Sequence, residues 1–338
     1  MRARHVAWAV LHGLPAEDAA LAGEDLIWRV ASVQRTAATG LGPDGDRALG
    51  LGPSTGSGTL AVGDWVTADD NGLITQVLPR RALLQRRAAG VELKTQLICA
   101  NVDTLFITTS CNADFNPARL ERYLALALDA HVAPVILLTK PDLADAPPEE
   151  YAARARALSP ALAGVMVLDA RAPDAADKLA VWLGVGQTVA FIGSSGVGKS
   201  TLLNTLTGGD QATAGVRKGD QKGRHTTTSR SLLPLPTGGW VIDMPGMREI
   251  GLHDVTLGIE RVFADLAKLA EACRFRDCTH CHEPGCAVLA GVAAGVVDPD
   301  RLARWQKLRD EDALNADIVG KTRSEARRIS RAHRKPPR

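Results

Sequence analysis

Gly193-Ser194-Ser195-Gly196-Val197-Gly198-Lys199-Ser200 is the stretch that decides the fold. A strand-like run from Thr188 leads into it, and an apolar helical run from Thr201 to Leu206 leaves it. Strand, glycine-rich turn and helix in that order make a phosphate-binding loop. Glycines let backbone N–H groups converge on phosphate oxygens. The helix N-terminus adds its partial positive charge. In such a loop Lys199 is expected to reach the β- and γ-phosphates and the Ser200 hydroxyl to bind Mg²⁺. Thr201 completes the expected contacts on the first helical turn.

Two further motifs take their meaning from this one. Asp243-Met244-Pro245-Gly246 ends a strand-like run. An acidic residue there can hold the Mg²⁺ shell, and the Gly246 N–H can meet a γ-phosphate. Thr139-Lys140-Pro141-Asp142 follows another apolar run. The Asp142 carboxylate can accept from guanine N1–H and the exocyclic amine, a donor pair adenine lacks, so GTP is favoured over ATP. The Lys140 stem can lie against the base. Asp169-Ala170, after the run Val165–Leu168, is a candidate base-contacting loop. Ordinary small GTPases carry the phosphate loop first and the guanine loop later. Here the order is reversed, which a parallel sheet tolerates if old termini are joined and a new break is made.

Six strand candidates alternate with helical stretches: 103–109, 135–139, 165–168, 188–193, 231–235 and 240–243. Helices are expected over 117–131 and 148–158, and the alternation implies a parallel sheet covered on both faces. Upstream, short strand-like runs at 26–33, 59–62, 64–67 and 73–78 with turn signals predict a small all-β unit, a barrel. The Gly/Pro/Ser-rich stretch 40–58 reads as a flexible loop. Residues 1–24 are a mildly apolar, Ala-rich lead-in whose pattern is uninformative.

The chain has 338 residues, enough for two or three domains at roughly 100–200 each. Hydrophobic residues make up 45% and charged residues 23%, with a net charge of only +2. A sizeable core is therefore affordable, and no global field favours nucleic acid. The longest apolar run, Cys286 to Val297, falls short of the ~20 residues a membrane helix needs. With no secretory signal, a cytoplasmic location without membrane contact is expected. Arg80, Arg81, Arg86 and Arg87 beside the β unit could meet RNA phosphates. So could the last 18 residues, which hold eight Lys/Arg. Trp8, Trp28, Trp65, Trp182, Trp240 and Trp305 are expected to pack rather than stack on bases.

Four of the six cysteines lie between Cys273 and Cys286, with His280 and His282 among them. Clustering of this kind argues for metal rather than disulfides. Cys273, Cys278, His280 and Cys286 supply three thiolates and an imidazole, a set suited to tetrahedral structural Zn²⁺. Cys281 and His282 are alternative donors.

Several stretches together resemble the circularly permuted GTPase family RsgA, ribosome small-subunit-dependent GTPase A. They are Ala100-Asn-Val-Asp103, Asp114-Phe-Asn116, Leu120-Glu-Arg-Tyr-Leu124, Gly223-Arg-His-Thr-Thr-Thr228, Cys273-Arg-Phe-Arg-Asp-Cys278 and Glu283-Pro-Gly-Cys286. The likeness runs from about Leu26 to Trp305. It implies a multidomain α/β protein: a lead-in over 1–24, an N-terminal OB-fold β-barrel over 25–90 and a circularly permuted P-loop GTPase with a mostly parallel sheet over 95–251. A C-terminal helical zinc-binding domain over 252–320 and a basic tail over 321–338 follow. It selects Cys273, Cys278, His280 and Cys286 as the zinc ligands. It also implies GTP and GDP as ligands, with Mg²⁺, and the small ribosomal subunit with its 16S rRNA as partner. The implied role is late maturation of that subunit by a monomeric GTPase that the subunit stimulates. Two departures stand out: 40–58 looks longer than an OB-fold needs, and Asp169 stands where the family usually has Ser.

Small GTPases often place a Gln after Asp-x-x-Gly to orient the attacking water. Here Met247 holds that position and cannot. His225 is the nearest candidate for the polar contact. One of Thr226, Thr227 or Thr228 is expected to close over Mg²⁺, and Thr227 is carried forward. The expected catalytic set is thus Lys199, His225 and Thr227, with Ser200, Thr227 and Asp243 around Mg²⁺. The competing reading is an RNA- or ribosome-binding module that uses GTP as a structural or switch ligand with negligible hydrolysis.

Overall fold

A computed structural model describes residues 1–52, 55–87, 95–208, 230–244 and 255–315. The N-terminal part is an antiparallel sheet of OB type, in the spatial order β3-β2-β1-β4-β5. Its strands are β1 (Leu26–Val33), β2 (Ala37–Gly42), β3 (Gly45–Gly50), β4 (Trp65–Ala68) and β5 (Ile74–Val77). A bridge between Gly50 and Leu73 joins the two edges and closes the sheet on itself. Its core is built from Leu26, Trp28, Val30, Leu49, Leu60, Val66 and Ile74.

The structure corrects the sequence reading in two places here and fills in a third that the sequence left open. First, the stretch 40–58 is not all loop, because β2 and β3 form a hairpin inside it. Its glycines are strand residues chosen for close approach. A Cβ on Gly40 would lie 2.5 Å from Leu49 Cδ1, and one on Gly42 would lie 2.7 Å from the Trp28 ring. Second, 59–62 is not a strand. The buried Asp64 carboxylate accepts from Ala61 N at 2.8 Å and pulls this segment into a turn. Third, residues 1–24 are helical: α1 (Arg2–Leu11), α2 (Ala16–Ala19) and a 3₁₀ turn. Trp8 of α1 meets Trp65 and Trp240 edge-on, at 5.8 and 6.2 Å.

A short antiparallel pair, β6 (Leu83–Arg87) and β7 (Thr95–Ala100), leads into a six-stranded sheet. That sheet contains β8 (Thr104–Ser110), β9 (Ala133–Thr139), β10 (Gly164–Val167), β11 (Thr188–Gly193), β12 (Ser231–Pro234) and β13 (Trp240–Asp243). Their order is β10-β9-β8-β11-β13-β12. All neighbours are parallel except β12, which pairs antiparallel with β13. Strands buried on both faces explain the continuous apolar runs that make them legible. The chain runs outward from β8 to β9 and β10, then returns to the other side of β8 as β11. The crevice beyond the carboxyl ends of β8 and β11 is therefore a topological switch point, where ligands of open α/β sheets bind.

Helix α3 (Pro117–Asp129) starts at Asn116, whose side chain accepts from Arg119 N, with Pro at the first turn. Helices α4 (Pro148–Arg156), α5 (Ala175–Leu179) and α6 (Lys199–Thr207) complete the layers. Helix Thr256–Val262 then packs on α3 so tightly that a Cβ on Gly258 would lie 2.0 Å from the Ala125 carbonyl oxygen. The last described helix covers 299–315. It is pinned to α3 by Glu121, a fully buried carboxylate that accepts from Arg304 Nε at 2.7 Å and Arg301 Nη1 at 3.3 Å. Asp312 from the same helix accepts from Val255 N and Thr256 Oγ1. Among the described residues no helix is long and apolar enough to cross a membrane.

The N-terminal sheet and the six-stranded sheet meet around Arg29 of β1. Its guanidinium is buried between the rings of Trp65 and Trp240, 5.0 and 5.3 Å from their centroids. It donates to Thr188 Oγ1 at 2.6 Å, at the first residue of β11. Burial without a direct carboxylate partner pulls its pKa down to about 9, which Asp103 nearby opposes. The guanidinium remains charged at neutral pH.

Candidate functional site

Four loops gather at the carboxyl edge of the parallel sheet. The phosphate loop follows β11, Asp243 ends β13, Lys140 to Leu143 follow β9, and Asp169 to Arg171 follow β10. The phosphate loop needs its glycines. Gly193, Gly196 and Gly198 have φ of +145, +80 and +99°, conformations that side chains with a Cβ rarely adopt. Gly198 also stands at the N-cap of α6, so α6 begins on Lys199 with its N–H groups aimed into the loop. Lys199 Nζ donates to the Gly193 carbonyl at 2.8 Å and to that of Ser194. Phosphate oxygens would have to replace those carbonyls as its acceptors. Asp243 is half-buried. Its carboxyl is pushed up by that burial, and the Lys199 charge opposes the shift.

The two segments expected to contact guanine are wired to the phosphate loop. Thr139 is fully buried, and its hydroxyl donates to Val197 O at 2.6 Å and to Thr109 O at 3.1 Å. Val197 belongs to the phosphate loop, so the two motifs share a hydrogen bond. Lys140 sits in the left-handed region at φ 54°, uncommon for a residue with a side chain. This turns the chain sharply into the 3₁₀ turn Pro141–Leu143 and leaves Asp142 half exposed at the site rim. On the other side, Thr205 Oγ1 of α6 donates to Ala170 O at 3.0 Å. A Cβ on Gly198 would lie 3.5 Å from Ala170 Cβ. Thus Thr139, Ala170 and the phosphate loop form one packed unit.

One residue at this site escaped the sequence reading. Arg171 donates from Nη2 to Asp142 Oδ2 at 3.4 Å and from Nε to Asp169 Oδ1 at 3.2 Å. Its backbone N–H also donates to Asp169 Oδ1, at 3.0 Å. These donors hold the Asp169 carboxyl below the usual carboxylate range. The available signal was an Asp two residues before an Arg, a spacing that closes on itself in a side-chain turn. Of the remaining expected site residues, His225, Thr226, Thr227, Thr228, Gly246 and Met247 lie outside the described residues.

A second constellation lies in the C-terminal part. The ligand atoms of Cys273, Cys278, His280 and Cys286 all fall within 4.8 Å of one another, a grouping that could hold a metal ion. His280 turns Nδ1 toward the thiols, 3.6 Å from Cys273 Sγ and 3.5 Å from Cys286 Sγ. Trp305 stacks on the imidazole with centroids 5.2 Å apart, and Gln306 Nε2 donates to the His280 carbonyl at 2.9 Å. Glu283 ties the knuckle. Its carboxylate accepts from Thr279 N, Thr279 Oγ1, Cys281 N and His282 N, which holds its pKa well below the usual carboxylate range. Cys281 is exposed and turns its thiol to the Thr279 carbonyl instead.

The arginines expected to face RNA are partly engaged within the protein. Arg80 donates to both oxygens of the buried Asp64, at 2.6 and 2.7 Å, and to Thr59 O at 2.7 Å. Arg81 pairs with Asp103 at 3.4 Å, and Arg86 donates to Gln96 Oε1 at 3.0 Å.

Comparison with known proteins agrees with this geometry. The family description "RsgA GTPase" matches residues 77–253. A protein of Mesorhizobium japonicum called small ribosomal subunit biogenesis GTPase RsgA is 52% identical over 318 residues, covering 92% of this chain and 90% of its own. A Vibrio parahaemolyticus protein called small ribosomal subunit biogenesis GTPase RsgA 2 is 47% identical, covering 81% of this chain and 76% of its own. Among solved structures, YjeQ from Thermotoga maritima superposes with a TM-score of 0.60 at 24% identity, over 87% of this chain and 98% of its own. YloQ, described as a circularly permuted GTPase, does so with a TM-score of 0.57 at 23% identity.

Proposed function

The chain belongs to the RsgA GTPase family, and from that premise we propose that it hydrolyses GTP on the small ribosomal subunit during late maturation, with the subunit stimulating turnover. The observation that carries the reading is the convergence of Asp142, Ala170, Lys199 and Asp243 on one sheet edge, tied together through Thr139 and Thr205. GTP lies with its phosphates in the Gly193–Ser200 loop and its base between the Lys140 to Asp142 turn and Ala170. The Lys199 ammonium and the first N–H groups of α6 draw charge from the phosphates as the γ-phosphoryl departs. Mg²⁺ suits Ser200 and Asp243, an oxygen donor set, and would neutralise charge between the β- and γ-phosphates. Asp142 orients the base through guanine N1–H and the amine. Met247 offers no polar group for the attacking water, so that contact comes from elsewhere: from His225, or from the subunit.

The four-residue knot is proposed as a structural zinc site. A tetrahedral centre with metal–sulfur bonds of about 2.3 Å has sulfur–sulfur edges of about 3.8 Å. Cys273 Sγ and Cys286 Sγ stand 3.8 Å apart. Three thiolates and an imidazole leave no open position for catalysis, so the metal's contribution is to fix the knuckle against the 299–315 helix. A monomer in the cytoplasm that contacts 16S rRNA is the cellular setting proposed.

Competition binding and co-sedimentation test this reading. GTP and GDP should displace a fluorescent guanine nucleotide at concentrations where ATP does not. A non-hydrolysable GTP analogue should carry the chain onto small subunits better than GDP. Equal displacement by ATP, or co-sedimentation indifferent to nucleotide, would contradict it.

A further inference from the structure

At the guanine end of the site stands a cation with no role in the loop motifs. From its position we infer that Arg171 reads the base directly, its guanidinium donating to O6 of guanine beside Asp142. The inference rests on the base-reading role proposed for Asp142.

Three observations carry it. The first is placement. Arg171 Nη2 lies 3.4 Å from both Asp142 Oδ2 and Asp169 Oδ2, while Nε and the backbone N–H are held on Asp169 Oδ1 at 3.2 and 3.0 Å. On guanine the amine, N1–H and O6 follow one another along a single edge. A carboxylate on the first two leaves the third next to its neighbour, and that neighbour here is a planar donor fork. Both Nη2 contacts are long and exposed, so the nitrogen can turn to a carbonyl at little cost while Nε keeps its hold on Asp169.

The second is donor supply. O6 and N7 are acceptors that need N–H or O–H partners. The Thr139 hydroxyl is committed to the Val197 and Thr109 carbonyls, and the Lys199 ammonium faces the phosphate loop. Arg171 brings a charged donor to the rim, where charge-assisted bonds are the stronger kind.

The third is charge. Asp169 alone would set a second carboxylate at the rim and repel an acceptor such as O6. Bound to Arg171, the same carboxylate is neutralised and anchors a planar set of N–H donors at the rim. Adenine carries an amine where guanine carries O6, so the guanidinium would face donors. Arg171 therefore adds rejection of ATP to attraction for GTP.

The test uses the full chain and three nucleotides in competition with fluorescent GDP. 6-Thio-GTP keeps N1–H and the amine but replaces O6 with sulfur, a poor acceptor. ITP keeps O6 but lacks the amine that Asp142 reads. The unmodified chain should bind 6-thio-GTP about tenfold more weakly than GTP, and Arg171→Ala should lose about tenfold for GTP. Arg171→Ala should also bind GTP and 6-thio-GTP within about twofold of each other, while its ITP penalty stays that of the unmodified chain. An Arg171→Ala chain that still discriminates against 6-thio-GTP fully, or binds GTP as tightly as before, overturns this inference alone. Equal affinity of the unmodified chain for ITP and GTP overturns the role of Asp142, and this inference with it.

Discussion

Two glycines of the phosphate loop should respond very differently to the same methyl group. At Gly196, φ is +80° and nothing lies within 4 Å of an added Cβ. Alanine there meets only the left-handed backbone penalty, about 1–2 kcal/mol. At Gly193, φ is +145° and the Cβ would lie 2.0 Å from the Thr108 carbonyl oxygen. The backbone penalty at that φ is about 1–3 kcal/mol. Non-bonded heavy atoms prefer about 3.5 Å, so β11 and β8 must part by more than about 1 Å at the Gly193–Thr108 pair. Forcing packed strands apart adds about 1–3 kcal/mol. The expected losses are therefore about 2–6 kcal/mol for Gly193→Ala and about 1–2 kcal/mol for Gly196→Ala. Equilibrium unfolding in urea without nucleotide measures both. GDP binding, read by fluorescence, should weaken at least about a hundredfold in the first variant and about tenfold or less in the second. If Gly193→Ala costs no more than Gly196→Ala, the tight seat of the loop on β8 is wrong.

Cys281→Ser should retain one metal ion per chain by native mass spectrometry, whereas Cys273→Ser should lose it, since only Cys273 belongs to the four-ligand cluster. Arg301→Ala should destabilise the chain by about 2–3 kcal/mol in urea unfolding, because it strips one of two arginine partners from the buried Glu121, which keeps Arg304. It also removes bonds to the Leu158 and Val262 carbonyls; a loss under about 1 kcal/mol would show the contact to be incidental. Glu283 is held below its ordinary pKa of 4.5 by donors in the knuckle. A depressed carboxyl favours the folded form at pH above its unfolded value and loses that advantage as pH falls. The unmodified chain should thus outlast Glu283→Ala in metal-release assays above about pH 5. The two should converge on acidification; a gap that widens toward acid would reverse the sign.

The parts of the site legible from sequence are those made by contiguous residues. The phosphate loop, the guanine turn and Asp243 each sit at the end of an apolar strand, and strands buried on both faces announce themselves as unbroken apolar runs. Their gathering at one sheet edge then follows from parallel topology. Local pattern misled where glycine served packing rather than turning. Gly40 and Gly42 lie in a strand because Trp28 and Leu49 press on them, a fact of tertiary distance that composition cannot carry. The segment 59–62 looked like a strand, but the Asp64 carboxylate captures its backbone. Helix α1 escaped because its meaning lies in Trp8 meeting Trp65 and Trp240. Arg171 escaped for the same reason: its partners Asp142 and Asp169 come from two different strand ends.

The proposed dependence of GTP turnover on the small subunit follows from Met247, which cannot orient the attacking water. Its most direct test is the steady-state rate of phosphate release from GTP as purified small subunits are titrated in, with large subunits and buffer as controls. Turnover should be slow alone, rise to saturation with small subunits, and show no response to large subunits. A rate indifferent to small subunits, or negligible hydrolysis at saturation, would contradict it and favour a binding module that uses GTP only as a switch ligand.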